Sequence, residues 1–183
     1  MLRVVLDCNV FVSALLSPNG SPAQILDGWA DGDFEMIVSP LLLAELERVL
    51  SRTKFAVSID SAQVDGLVTG LMEDGLLVED PPADPGLTPD PGDDYLVALA
   101  GVADAQCIVS GDAHLRQLAD AVPPVLSPAE FIEREKWVPS GKDPPWYFSE
   151  RISADLGAAS KPTSPEPRSG GDFEPRSPIA RKC

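Results

Sequence analysis

Residues 2–6, Leu-Arg-Val-Val-Leu, form a short apolar run that stops at an acid, Asp7. The run is short and β-branched, which favours a strand over a helix. It reads as a strand buried on both faces. Such a strand belongs to a parallel sheet covered on each side by helices, because an exposed sheet face would alternate apolar and polar residues.

The rest of the chain fits that frame. SPNGSP (17–22) is a turn cluster, followed by a helix over 22–31 with Ser21 as cap and Pro22 in its first turn. FEMIVS (34–39) reads as a second strand, and a helix over 40–52 starts at Pro40 behind a Ser39 cap. A further helix is expected over 62–73 with Ser61 as cap, although Gly66 and Gly70 weaken it. LLVE (76–79), QCIVS (106–110) and PVL (124–126) supply three more strands. The Pro- and Asp-rich stretch 80–94 is a loop leading into a helix from about Asp93 to residue 103. A short helix follows Asp112, and 127–135 is a final capped helix. Strands alternating with helices predict a three-layer α/β sandwich around a parallel sheet. No internal repeat is present.

The composition changes near residue 138. Residues 1–138 carry 7 basic against 23 acidic residues, a net −16, whereas 139–183 carry 7 against 6, a net +1. The domain is therefore expected to span 1–138. The Pro-, Ser- and Gly-rich remainder, 139–183, buries too little apolar surface to offset its chain entropy and is expected to be mostly disordered. Trp146-Tyr147-Phe148 is its one aromatic cluster. No apolar run reaches the ~20 residues of a membrane span. Asp7 and Asn9 interrupt the apolar N-terminus and no small-residue cleavage site follows, so no secretion signal is read and a cytoplasmic location is expected. Cys8, Cys107 and Cys183 are scattered and odd in number, which fits reduced thiols.

Several acids stand where a core-building sequence does not need them. Asp7 and Asp112 each follow a buried strand, and ligands in open α/β sheets gather beyond the carboxyl ends of strands. Leu42, Leu46, Val49 and Leu50 share one face of the 40–52 helix; Glu45 lies on its margin and Glu47 points away. Asp93 and Asp94 open a helix, where capping alone also accounts for an acid. Carboxylates that converge repel one another unless a cation joins them, and oxygen-only ligands suit Mg²⁺ or Mn²⁺. Such ions activate water and neutralise a phosphodiester. With one histidine, His114, catalysis by a histidine pair is excluded, and no G-x-S-x-G, Walker or G-x-G-x-x-G motif occurs.

Three blocks carry a resemblance: VVLDCNVFVSALL, SPLLLAELERVL and DPGDDYLVALAGVADAQCIVSGDAHL. Together they resemble a PIN domain over about residues 2–135. More narrowly, they resemble the bacterial VapC-like ribonucleases described as toxins of toxin–antitoxin pairs. The resemblance implies a PIN-type Rossmann-like sandwich, Mg²⁺ or Mn²⁺ as cofactor, RNA as substrate and an antitoxin protein as partner. Catalytic and metal-holding roles then fall on Asp7, Glu45, Asp93 and Asp112, with Asp94 as an additional ligand or as the primary one in place of Asp93. Asn9, Ser39 and Ser110 take supporting roles. Cys8 departs from the commoner Thr, and the loop 80–92 is unusually rich in Pro and Asp. PIN domains often pair, and a homodimer groove with Arg48, Arg52 and Lys54 would gather the few positive charges for RNA. The acidic body also fits a second reading, a PIN-fold protein-interaction module with weak or no activity. A third is structural cation binding alone.

Overall fold

The computed structural model describes residues 1–52, 59–82, 86–118 and 123–135. The expected tail and its aromatic cluster lie outside these residues. Strands β1 (Arg3–Leu6), β2 (Glu35–Val38), β3 (Leu76–Leu77), β4 (Cys107–Val109) and β5 (Val125–Leu126) form one sheet in the order β3-β2-β1-β4-β5. Every neighbouring pair is parallel. Val4, Val5 and Leu6 are fully buried, as are Ile108 and Val109, which is what a strand covered on both faces requires.

Seven helices connect and flank these strands among the described residues: α1 (Cys8–Leu16), α2 (Ser21–Ala30), α3 (Pro40–Leu50), α4 (Ser61–Asp74), α5 (Asp94–Val102), α6 (Ala113–Arg116) and α7 (Pro128–Glu135). The strand order runs outward from β1 in one direction to β3 and, after a return, in the other direction to β5. Right-handed crossovers then put the helices between β1 and β3 on one face and α5 and α6 on the other, giving three layers. The reversal falls between β1 and β4, which is where such sheets open a crevice for ligands.

Some local expectations change. The sequence reading gave residues 8–16 no element, yet α1 starts at once after β1 with Asp7 as its N-cap. This helix buries Val10, Phe11, Val12, Ala14 and Leu15, so it has no one-sided apolar stripe to be read. α2 begins at Ser21 itself, and its N-cap is Gly20, which makes no side-chain bond. α4 is capped by Asp60 rather than Ser61, in a capping box with Gln63. α3 ends at Leu50, two residues short of the expected end. Between α4 and β3, Gly75 is required by space. A Cβ there would collide with the Leu71 carbonyl and sit 2.9 Å from Val38 Cγ2.

Candidate active site

Two strands deliver the first part of the site. Leu6 pairs with Val109 in the parallel register of β1 and β4. The next residues, Asp7 and Ser110, therefore emerge side by side at the carboxyl edge of the sheet. The fully buried Ser110 hydroxyl donates to Asp7 Oδ2 at 2.6 Å and accepts the Asp112 backbone N–H at 2.9 Å. One hydroxyl thus ties both strand-end acids together. Asp7 Oδ1 accepts the Asn9 N–H at 3.1 Å, and the Asn9 side chain approaches Oδ2 at 3.4 Å. Asp112 caps α6 through the His114 N–H at 2.6 Å.

α3 brings Glu45. Ser39 is buried at the end of β2 and accepts the Leu42 N–H at 3.2 Å, so it fixes the start of the helix. Both Glu45 oxygens are engaged: Oε1 meets Arg48 Nη2 at 3.2 Å, and Oε2 accepts the Tyr95 hydroxyl at 2.6 Å. Arg48, expected at an RNA groove, therefore lies against an acid of the site. Arg52 is exposed beyond the end of α3, and Lys54 lies outside the described residues.

The adjacent acids of α5 have different surroundings. Asp93 is half-buried, has helical backbone geometry at the N-cap position and makes no side-chain capping bond. Burial pushes its carboxyl up to about 6, and repulsion from Asp7, Asp90, Asp112 and Glu45 adds to the rise. Asp94 points into the preceding loop. It accepts the Gly86 N–H at 2.8 Å, the Thr88 N–H at 2.6 Å and the Thr88 hydroxyl at 2.8 Å. These bonds, led by that from Gly86, lower its pKa. Asp7 is raised, mainly by burial and further by Asp112, against the opposing bonds from Ser110 and Asn9.

Asp7, Asp93, Asp112 and Glu45 thus come within electrostatic reach of one another from four separate segments. They do not close on one another: among the described residues, no three acidic, histidine or cysteine side chains form a ready-made ligand set. The donor set is nonetheless all oxygen, and two of its members are held above their ordinary range. Both features fit a hard divalent cation. Asp90, Thr88 and Tyr95 were not singled out in the sequence. The phenol of Tyr95 was the available signal, since a buried tyrosine hydroxyl needs a partner.

The family model for the PIN domain matches residues 3–114, well over half of the chain. The chain belongs to the PIN domain family. Such domains are generally nucleases. An uncharacterised protein of Methanocaldococcus jannaschii is 44% identical over 45 residues, which are 25% of this chain and 29% of that protein. The chain thus spans less than a third of the length of the curated relative it matches. Among solved structures, the VapBC2 complex of Rickettsia felis with a promoter DNA fragment is similar at 14% identity and a TM-score of 0.48. That match covers 69% of this chain and 98% of the other. No described helix is long and apolar enough to cross a membrane.

Two consequences for the PIN domain are measurable. Ser110→Ala removes a donor from Asp7 and an acceptor from the Asp112 N–H inside the core. The expected cost is about 1–3 kcal/mol of stability, read by denaturant unfolding. The pH dependence follows from Asp93 and Asp7. Both protonate more readily folded than unfolded, so stability is lost as pH rises from the ordinary carboxylate range through about 6. The melting temperature in EDTA should therefore increase when pH is lowered from 7 to 5. The lowered Asp94 acts oppositely, but only below the ordinary carboxylate value. An unchanged melting temperature between pH 7 and 5 would contradict the crowding of Asp93.

Proposed function

We propose that this PIN domain is an endoribonuclease that hydrolyses RNA phosphodiester bonds with Mg²⁺ or Mn²⁺. The observation that carries the reading is the position of Asp93, half-buried and repelled by Asp7, Asp112 and Glu45 at once. Like charges gathered at a ligand crevice are relieved either by protonation or by a cation, and at neutral pH an all-oxygen set suits the cation. Asp7, Glu45, Asp93 and Asp112 would hold that ion. When bound, it would lower the pKa of a water molecule and neutralise charge on the scissile phosphate. Asp94 serves in this reading as the anchor of residues 86–88 rather than as a ligand, because its side chain is turned into the preceding loop and buried there by three donors from Gly86 and Thr88. Asn9, Ser39 and Ser110 orient the acids or the elements that carry them. Arg48 and Arg52, with Lys54, are the cations nearest in sequence to Glu45 and would meet the RNA backbone, in a homodimer if the domain pairs.

The physiological role proposed is that of a cytoplasmic toxin silenced by an antitoxin protein. The −16 charge of residues 1–138 suits a basic partner. The reading is tested by incubating a long structured RNA with purified full-length chain in Mn²⁺ or in EDTA. Cleavage in Mn²⁺ alone is expected. Inertness across several RNAs in both conditions would favour the second reading, a PIN-fold interaction module, which draws on the acidic body and on the open arrangement of the four acids.

A further inference from the structure

We propose that Tyr95 is a positioning residue for Glu45, holding one carboxylate oxygen so that Glu45 offers the other one alone to a bound cation. The inference rests on the metal-dependent reading above and adds to it a basis for ion choice.

The geometry points this way from both ends of Glu45. Tyr95 Oη donates to Glu45 Oε2 at 2.6 Å, across fifty positions of sequence. Its ring packs against the core, and a tyrosine has few torsions to relax, so the hydroxyl is delivered to a fixed place. A short bond to a carboxylate in partly buried surroundings is of the strong, charge-assisted kind. The opposite oxygen is held differently. Arg48 meets Oε1 at 3.2 Å, but the arginine side chain is 61% exposed. An exposed pair of this sort is weak, and a divalent ion can displace it. The two oxygens are thus unequal: one is fixed by a shielded phenol, the other covered by an exchangeable cation.

Tyr95 is also placed to couple the parts of the site. It lies two residues after Asp93, and its bond to Glu45 joins α5 to α3. The helix that carries Asp93 thereby sets the orientation of the acid on α3. A carboxylate limited to one oxygen suits a compact octahedral ion. Larger ions such as Ca²⁺ often draw both oxygens of a carboxylate. Tyr95 therefore favours Mg²⁺ or Mn²⁺ over Ca²⁺.

The test is calorimetric titration of the full chain with Mn²⁺ or Ca²⁺ alone, with the metal-free melting temperature recorded for each variant. The variants are Tyr95→Phe, Glu45→Gln, the two combined, and Asp7→Asn. Tyr95→Phe keeps the ring and is expected to weaken Mn²⁺ binding about tenfold, the scale of ligand-orienting residues. It should also narrow the preference for Mn²⁺ over Ca²⁺. In the Glu45→Gln background it should have no further effect on Mn²⁺. Unchanged Mn²⁺ affinity in Tyr95→Phe, or an equal loss with Glu45→Gln already present, would overturn the proposal while Asp7→Asn still weakened binding. If Asp7→Asn binds Mn²⁺ as tightly as the wild type, the metal reading itself fails and the role of Tyr95 falls with it.

Discussion

Asp7→Asn is expected to reduce Mn²⁺-dependent RNA cleavage by on the order of 10²-fold or more, while the metal-free protein stays folded and at least as stable. The substitution is nearly isosteric. Asparagine caps helices as well as aspartate does, so the bond to the Asn9 N–H that starts α1 can be kept. Its amide can donate to the Ser110 hydroxyl in place of the present bond to Oδ2. What is removed is a buried charge that the fold holds against desolvation and against Asp112. Activity and stability should therefore separate. Circular dichroism melting in EDTA, beside a cleavage assay in Mn²⁺, reads both. Wild-type activity in the variant would place the chemistry elsewhere in the chain. Parallel loss of fold and activity would reduce Asp7 to a helix cap.

The second large effect concerns the neighbouring acids of α5, which should respond in opposite ways. Asp94→Ala leaves the Gly86 N–H and the buried Thr88 N–H without their acceptor, and leaves the Thr88 hydroxyl only the Asp90 carbonyl. Buried donors stripped of a charged acceptor are among the costliest losses a fold can suffer. This variant should show the largest fall in melting temperature of any single acid substitution in the site. Asp93→Asn removes a carboxylate that is crowded at neutral pH and makes no capping bond. It should melt no lower than the wild type in EDTA at pH 7, yet lose cleavage by on the order of 10²-fold. The reverse pattern, with Asp93→Asn unstable and Asp94→Ala stable but inactive, would exchange their roles.

That distinction was not legible in the sequence. Both aspartates open the same helix, and either one fits a cap or a ligand. The difference lies in where residues 86–88 fold back, which no local pattern encodes. Asp7 and Asp112 were legible as candidates, because each follows a strand buried on both faces, at the edge where ligands gather; that Asp7 also caps α1 was not. Glu45 was legible from its place on the margin of an apolar helix face. Its partner Tyr95 was not, since fifty residues separate them and only the packing of α5 against β1 and β4 brings them together. Of the expected basic groove, the described residues include Arg48, paired with Glu45 three residues before it on the same helix, and Arg52, exposed just beyond that helix.

The bond between Asp7 and Ser110 has a consequence for how the sheet finds its alignment. β1 and β4 are apolar on both faces, so hydrophobic patterning alone does not forbid one sliding along the other. A slip would set the Asp7 carboxylate against Val109 or beyond Ser110, leaving it buried without the hydroxyl donor that offsets its desolvation. The polar pair at the strand ends therefore acts as a locating pin during assembly. Chains that settle out of step would lack the paired acids altogether, so in this protein a working crevice is also a certificate of correct strand alignment.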